Sequence, residues 1–398
     1  MPLAAPVTRI RRAAMPSSAR HPSSRTGRHP CQHGGRRCPG PAPRRPQRPR
    51  VRQGNPRTED HRRNAMTILS RRAALAAAAG LAAALPTQGS GQGSAQGTPQ
   101  APQAWSPPDP AQRCPGPWGA ADRRGAMNRQ TPETVKRAAG LIRTGEIVEL
   151  GRVLEQGMPL QATRQFHIHT KPLFMNPQPN RRGSNEEMVI GEMGQVGTQF
   201  DMFPHQTIGN HTYNCVEIDR IATRNGFAEM GVETVGNIFT RGVLLDIAAL
   251  KGVPMLEAGY EITPDDVDQA LRRQSVQLAE ADAVLFHTGW GTLWGRDNAR
   301  YMASNPGIGV AAAEQVIRRG PILMGADVGT VEVSPSRTLP SASLPIHQIA
   351  LVVNGVHLLE NLKLDELAGK GRAEFVLNLQ PLKLKGGTGS TVAPTAIL

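Results

Sequence analysis

No stretch of the 398-residue chain is apolar for the ~20 residues that a membrane-crossing helix needs. The longest apolar run, Ala73–Leu85, stops at 13 residues. Lysine is missing from the first 65 residues, which hold 16 Arg, only two acidic residues and many Pro. Such a stretch has little to bury and is expected to be disordered. It reads either as a basic arm for nucleic acid or as sequence upstream of the true start, and the residues from Met66 to Pro86 favour the second. Cysteine is scarce. Of four, only Cys114 and Cys215 fall in the candidate folded region, and their wide separation makes two unpaired thiols the default expectation. Internal repeats are absent, so a solenoid is excluded. The Gly386–Ser390 stretch has no following helix or Lys, so it is not a phosphate loop and reads as a linker-like tail.

From Met66 the chain has a short polar start, the pair Arg71-Arg72, and then the 13-residue apolar run. That layout suits a signal peptide of the twin-arginine kind over residues 66–86, and implies a periplasmic or secreted protein. No Cys stands close behind the run, so a lipid anchor is not expected and neither is any stable membrane anchor. Residues 1–72 contain 18 of the 46 basic residues and two of the 32 acidic ones. The remainder carries 28 basic against 30 acidic residues, so the overall +14 says nothing about the folded domain. Nucleic acid is dropped as a partner. Residues 87–113 are rich in Gln, Gly, Ser and Pro and read as a flexible leader.

From Cys114 onward strand and helix patterns interleave, as in one α/β domain of about 285 residues. Thr131-Pro132 and Thr263-Pro264 open two capped helices, over 131–143 and 263–274. Strands are predicted at Ile147–Leu150, Met188–Ile190, Gln195–Asp201, Gly242–Asp246, Ala283–Thr288, Ile322–Asp327 and Glu374–Leu379, and a helix near Ile346–Val353. The densest polar constellation is Gln195-Val-Gly197-Thr198-Gln199-Phe-Asp201-Met-Phe203-Pro204-His205. In an extended chain Gln195, Gln199 and Asp201 share a face, and His205 comes next after a bend. One carboxylate, two amides and an imidazole could bind a cation or a polar substrate; the same alternation also describes a half-exposed strand.

This segment resembles the signature H-x-G-T-H-x-D-x-P-x-H of the cyclase/kynurenine formamidase family. Trp118–Asn128, Arg241–Asp246, Thr288-Gly-Trp290, His347–Leu351 and Gly355–Leu362 resemble further family segments in the same order. The resemblance spans about Cys114 to Leu382 and implies a swivelling β/β/α single domain with a mixed sheet. It implies a divalent-metal hydrolase of amide, lactam or ester bonds in small molecules, and a homodimer or homotetramer. Carried onto this chain, one metal site falls on Gln195, Gln199 and Asp201, a second on Asp201, His347 and Glu360, and the general acid/base on His205. Gln195 and Gln199 replace two imidazoles with neutral amides that suit Zn²⁺ poorly. They are therefore expected to be weak ligands or to orient the substrate. The intact trio is expected to hold one Zn²⁺, Mn²⁺ or Fe²⁺ per chain. His287 and Trp290 are candidates to line the pocket, with His167 and His169 less so; His357 is expected to pack. A rival reading is a binding protein on the same fold that has lost its metal and its turnover.

Overall fold

The computed structural model describes residues 105–161, 163–173 and 179–398. The basic segment 1–65, the signal-like segment 66–86 and residues 87–104 of the leader lie outside the described residues. A nine-stranded mixed sheet organises the rest. In chain order its strands are β1 Ile147–Glu149, β4 Gln199–Asp201, β5 Ile238–Asp246, β6 Ala283–His287, β7 Leu323–Ala326, β8 His357–Glu360, β9 Glu374–Leu379, β10 Gly389–Thr391 and β11 Thr395–Ile397. Two more, β2 Phe166–Leu173 and β3 Ser184–Gly191, form a separate antiparallel hairpin that carries His167 and His169. Across the large sheet the order is β1-β11-β9-β5-β6-β7-β8-β4-β10. β5 to β8 run parallel to one another, and every other pairing is antiparallel. This is a mixed α/β fold built on one large sheet, as expected from the sequence.

The parallel strands are near-continuous apolar runs, as expected where helices and loops cover both faces. Val243, Leu244 and Leu245, Ala283 to Phe286, and Leu323, Met324 and Ala326 are all buried. Helix α1, Pro132–Ala139, packs against β5; α2, Pro264–Arg273, packs against β5 and against α3, Val310–Ile317. Thr131 and Thr263 cap α1 and α2 by accepting the backbone N–H three residues on, so these starts lie where the sequence placed them. Helix Pro345–His347 runs on into a wide-turn π-helix, Gln348–Asn354. No helix among the described residues is long and apolar enough to cross a membrane.

Three expectations need correction. The strand anticipated from Gln195 is confined to Gln199–Asp201, because Gly197 turns the chain with φ +64°. The Gly-rich stretch Gly386–Ser390 is no linker: it leads into β10, which pairs with β4. A Cβ on Gly389 would stand 2.6 Å from the Phe200 carbonyl oxygen, so glycine serves close strand approach rather than looseness. Cys114 and Cys215 are not free thiols but form a disulfide, with Cα atoms 6.0 Å apart across 101 residues of sequence.

Candidate active site

Strand β8 sits between β7 and β4, and the register sets Glu360 opposite Gln199 and Leu358 opposite Asp201. Two residues apart on one strand, Gln199 and Asp201 share a face. Glu360 therefore projects beside both. His347 arrives from the Pro345–His347 helix and is almost fully buried with Asp201 and Glu360. Its Nε2 lies 3.0 Å from Glu360 Oε1, without the alignment of a hydrogen bond, and 3.8 Å from Asp201 Oδ2. Both carboxylate oxygens are shielded from solvent and lack a hydrogen-bond partner among the described residues. His205 completes the group; its ligand atom and those of Asp201 and His347 all lie within 4.8 Å of one another.

That arrangement suits a divalent ion. Buried carboxylate oxygens without partners cost several kcal/mol each unless a cation or donor faces them. Ligand atoms ~2.0–2.2 Å from a common ion sit roughly 3–4 Å apart, close to the separations here. Asp201, His205 and His347 bring ligand atoms together, and Glu360 Oε1 stands 3.0 Å from His347 Nε2, so these four are the residues that would hold it.

The electrostatics agree with crowding of negative charge. Burial and then the Asp201 carboxylate raise Glu360 above its ordinary range. Burial alone would push His347 down, but the Glu332 and Glu360 carboxylates hold it well above its usual value. His205 moves the other way: burial lowers it, only partly opposed by Asp201. A neutral His205 is in the state to accept a proton.

Gln195 and Gln199 do not offer their oxygens to this site. Gln199 Nε2 donates to Glu360 Oε2 at 2.7 Å and to Gln195 Oε1 at 3.2 Å. Gln195 Nε2 reaches Asp201 Oδ1 at 3.4 Å, and Arg164 donates to the Gln195 carbonyl at 2.8 Å and to Oε1 at 3.3 Å. The amides thus act as donors that hold carboxylates in place. Arg164, from the foot of the β2–β3 hairpin, is the cation that locks them there.

Glu332 was missed by the sequence. Its buried carboxylate accepts from His347 Nδ1 at 2.6 Å, from His347 N at 3.0 Å and from Ile346 N at 2.9 Å. It fixes the ring so that Nε2 faces Asp201 and Glu360, the outer-shell carboxylate that metal-binding histidines usually have. The available signal was an acidic residue in an otherwise small and apolar stretch, Val328–Val333, which spacing alone does not single out. His357 packs, as expected: it lies between Phe200 and Phe203, each ring 4.7 Å away, with burial lowering it to about 4.

Two pocket candidates fall elsewhere. Trp290 is fully buried, its Nε1 donating to the Tyr301 carbonyl, so it is a core residue. His287 turns to Asp246, with Nδ1 2.8 Å from Oδ1, and belongs to a second cluster farther along the sheet edge. His167 and His169 stand on the hairpin, partly and largely exposed.

Residues 148–333 match a family model described as "Putative cyclase". Among solved structures, one described as a novel cyclase aligns at 29% identity with a TM-score of 0.65, covering 74% of this chain and 100% of its own. Isatin hydrolase A from Labrenzia aggregata, bound to benzyl benzoate, aligns at 21% identity and a TM-score of 0.45, over 65% of this chain and 94% of its own. Isatin hydrolase A from Ralstonia solanacearum aligns at 23% and 0.46, over 67% and 97%. No curated protein sequence matches. Family match, fold and the order of the sequence segments agree: residues 148–333 are similar to the cyclase family, and the fold is that of a cyclase-like structure.

Proposed function

We propose that the protein is a metal-dependent hydrolase that opens a cyclic amide, amide or ester bond of a small molecule. The observation that carries this reading is the pair of buried, unpartnered oxygens, Asp201 Oδ2 and Glu360 Oε1, facing His347 Nε2. When bound there, Zn²⁺ or Mn²⁺ supplies Lewis acidity toward a carbonyl and makes water more acidic. Asp201, His347 and Glu360 hold the ion, while Gln195 and Gln199 fix the two carboxylates. His205 takes a proton from water and returns it to the leaving nitrogen or oxygen. Depressed by burial, it is neutral and ready for the first step.

One observation favours the rival reading of a metal-free binding protein. Gln199 already donates to Glu360, and Gln195 to Asp201, which lessens the negative charge felt by a cation. Metal content of the full chain, together with turnover of lactams, formamides and esters, separates the two. Glu360→Gln and His347→Ala are expected to lower both bound ion and turnover, and His205→Ala to lower turnover alone. Unchanged turnover in all three variants sinks the hydrolase. Export by the twin-arginine route is also proposed; the Cys114–Cys215 disulfide supports it, since such bonds persist in oxidising compartments.

A further inference from the structure

We propose that the carboxyl edge of the parallel strands carries a second cation site, in which His287, Asp327 and Asp365 bind a divalent ion of the Zn²⁺/Mn²⁺ class. β5 ends in Asp246, β6 in His287, and Asp327 comes directly after β7. The edge beyond the carboxyl ends of parallel strands is where such sheets gather their polar groups. Ligand atoms of His287, Asp327 and Asp365 all lie within 4.8 Å of one another.

The argument rests on an arrangement that the molecule uses twice. In the candidate active site a carboxylate, Glu332, fixes His347 through Nδ1 at 2.6 Å, and Nε2 faces a buried carboxylate oxygen 3.8 Å away. Here Asp246 fixes His287 through Nδ1 at 2.8 Å, and Nε2 faces Asp327 Oδ2 at 4.0 Å. That gap is too long for a hydrogen bond, so His287 Nε2 has no hydrogen-bond partner among the described residues. It is close to the spacing of two ligands on one ion. Each cluster also contains a shielded carboxylate oxygen without a partner: Asp201 Oδ2 and Glu360 Oε1 there, Asp365 Oδ1 here.

Asp327 is fully buried and preset. Thr288 donates to its Oδ1 from backbone N at 2.9 Å and from Oγ1 at 2.7 Å, and Gly291 N approaches Oδ2 at 3.3 Å. The carboxylates of Asp246, Asp327 and Asp365 surround one imidazole, with the Arg273 guanidinium acting on Asp246, and a divalent cation would offset the negative charge that remains. One imidazole with carboxylates fits Zn²⁺ or Mn²⁺. Asp365 lies five residues beyond Glu360, so an ion here ties the chain leaving β8 to the ends of β6 and β7.

This site does not depend on the hydrolase reading, and one experiment tests the two separately. The full chain is stripped with chelator and titrated calorimetrically with Mn²⁺, with bound Mn²⁺ counted independently by electron paramagnetic resonance. Two ions per chain are expected in the wild type. Asp365→Asn and His287→Gln should each lose one and the same ion, and Glu360→Gln the other, with unchanged circular dichroism of the metal-free forms. One ion lost only in Glu360→Gln, or none, overturns the proposal. One ion lost only in the Asp365 and His287 variants supports it and sinks the metal-dependent hydrolase instead. Should both of those variants misfold, a wild type whose every bound ion is lost in Glu360→Gln still overturns it.

Discussion

Glu332 decides how His347 presents itself. A buried histidine can carry its proton on either nitrogen, and the nitrogen that faces a carboxylate keeps the hydrogen. Glu332 therefore keeps the Nδ1 hydrogen, so that Nε2, on the side of Asp201 and Glu360, would be the atom to meet an ion. Replacing it with Gln keeps the size but removes the charge. Glu332→Gln is expected to weaken Mn²⁺ binding by about 10–100-fold, read by titration of the stripped protein, with Asp a partial substitute. Unaltered affinity would show that the carboxylate only caps the helix. A second prediction concerns protons. Glu360 and His347 are both held above their ordinary values, so near neutrality the metal-free site retains a proton that an ion must displace. Apparent affinity should therefore fall as pH drops through about 7, the value to which Glu360 is raised, and proton release should accompany binding. Affinity flat between about pH 6 and pH 8 would contradict the assignment. Of the site, the residues inside recognisable segments were legible: Asp201, His205, His347 and Glu360. Glu332 and Arg164 were not, because each acts through another side chain and leaves no spacing to read.

At the scale of elements, the site is made by strained and glycine-bearing connections rather than by the strands alone. Val331, a β-branched residue, sits at φ +59° immediately before Glu332, and Leu344 at φ +50° opens the helix that delivers His347. Such conformations cost about 1–3 kcal/mol each and persist where the surroundings demand them. Here both flank the Glu332–His347 pair. Helices α1 and α2 were legible because Thr-Pro starts state their own geometry. The β10 segment was not. Glycines needed for close approach look, in sequence, like glycines of a flexible tail, and only the contact with Phe200 tells them apart. Gly389→Ala tests that difference. Its Cβ would press on the Phe200 carbonyl of β4, one residue from Asp201, so stability should fall by about 1–3 kcal/mol in urea unfolding. Ion binding should weaken with it. A silent substitution would return the segment to the role of tail.

For the whole molecule, the widest clasp is the disulfide, and its sequence signal was poor because pairing depends on how the chain folds rather than on spacing. Cys114 directly succeeds the short helix Pro110–Arg113, and Cys215 lies just beyond the signature segment. A second fastening joins the same two regions. Asn214 Oδ1 accepts from Gly116 N at 2.8 Å, and its Nδ2 donates to the carbonyls of Gly119, Ala120 and Asp122. Asn214 is held at φ +57°, a left-handed conformation that Asn tolerates better than most residues. Tyr213, next to it, packs on Phe203 at 4.6 Å, which in turn stacks on His357 behind Asp201. Closing a loop of this length restricts the unfolded chain strongly, so Cys215→Ser should cost about 2–5 kcal/mol and lower the melting temperature by about 5–15 °C. Because Asn214 keeps the two regions together, the variant should still fold and retain its ion. Reductant should bring the wild type down to the variant's melting temperature and leave the variant unmoved. If reductant does not shift the wild type, the two cysteines do not pair in solution, and the support that the bond lends to export goes with it.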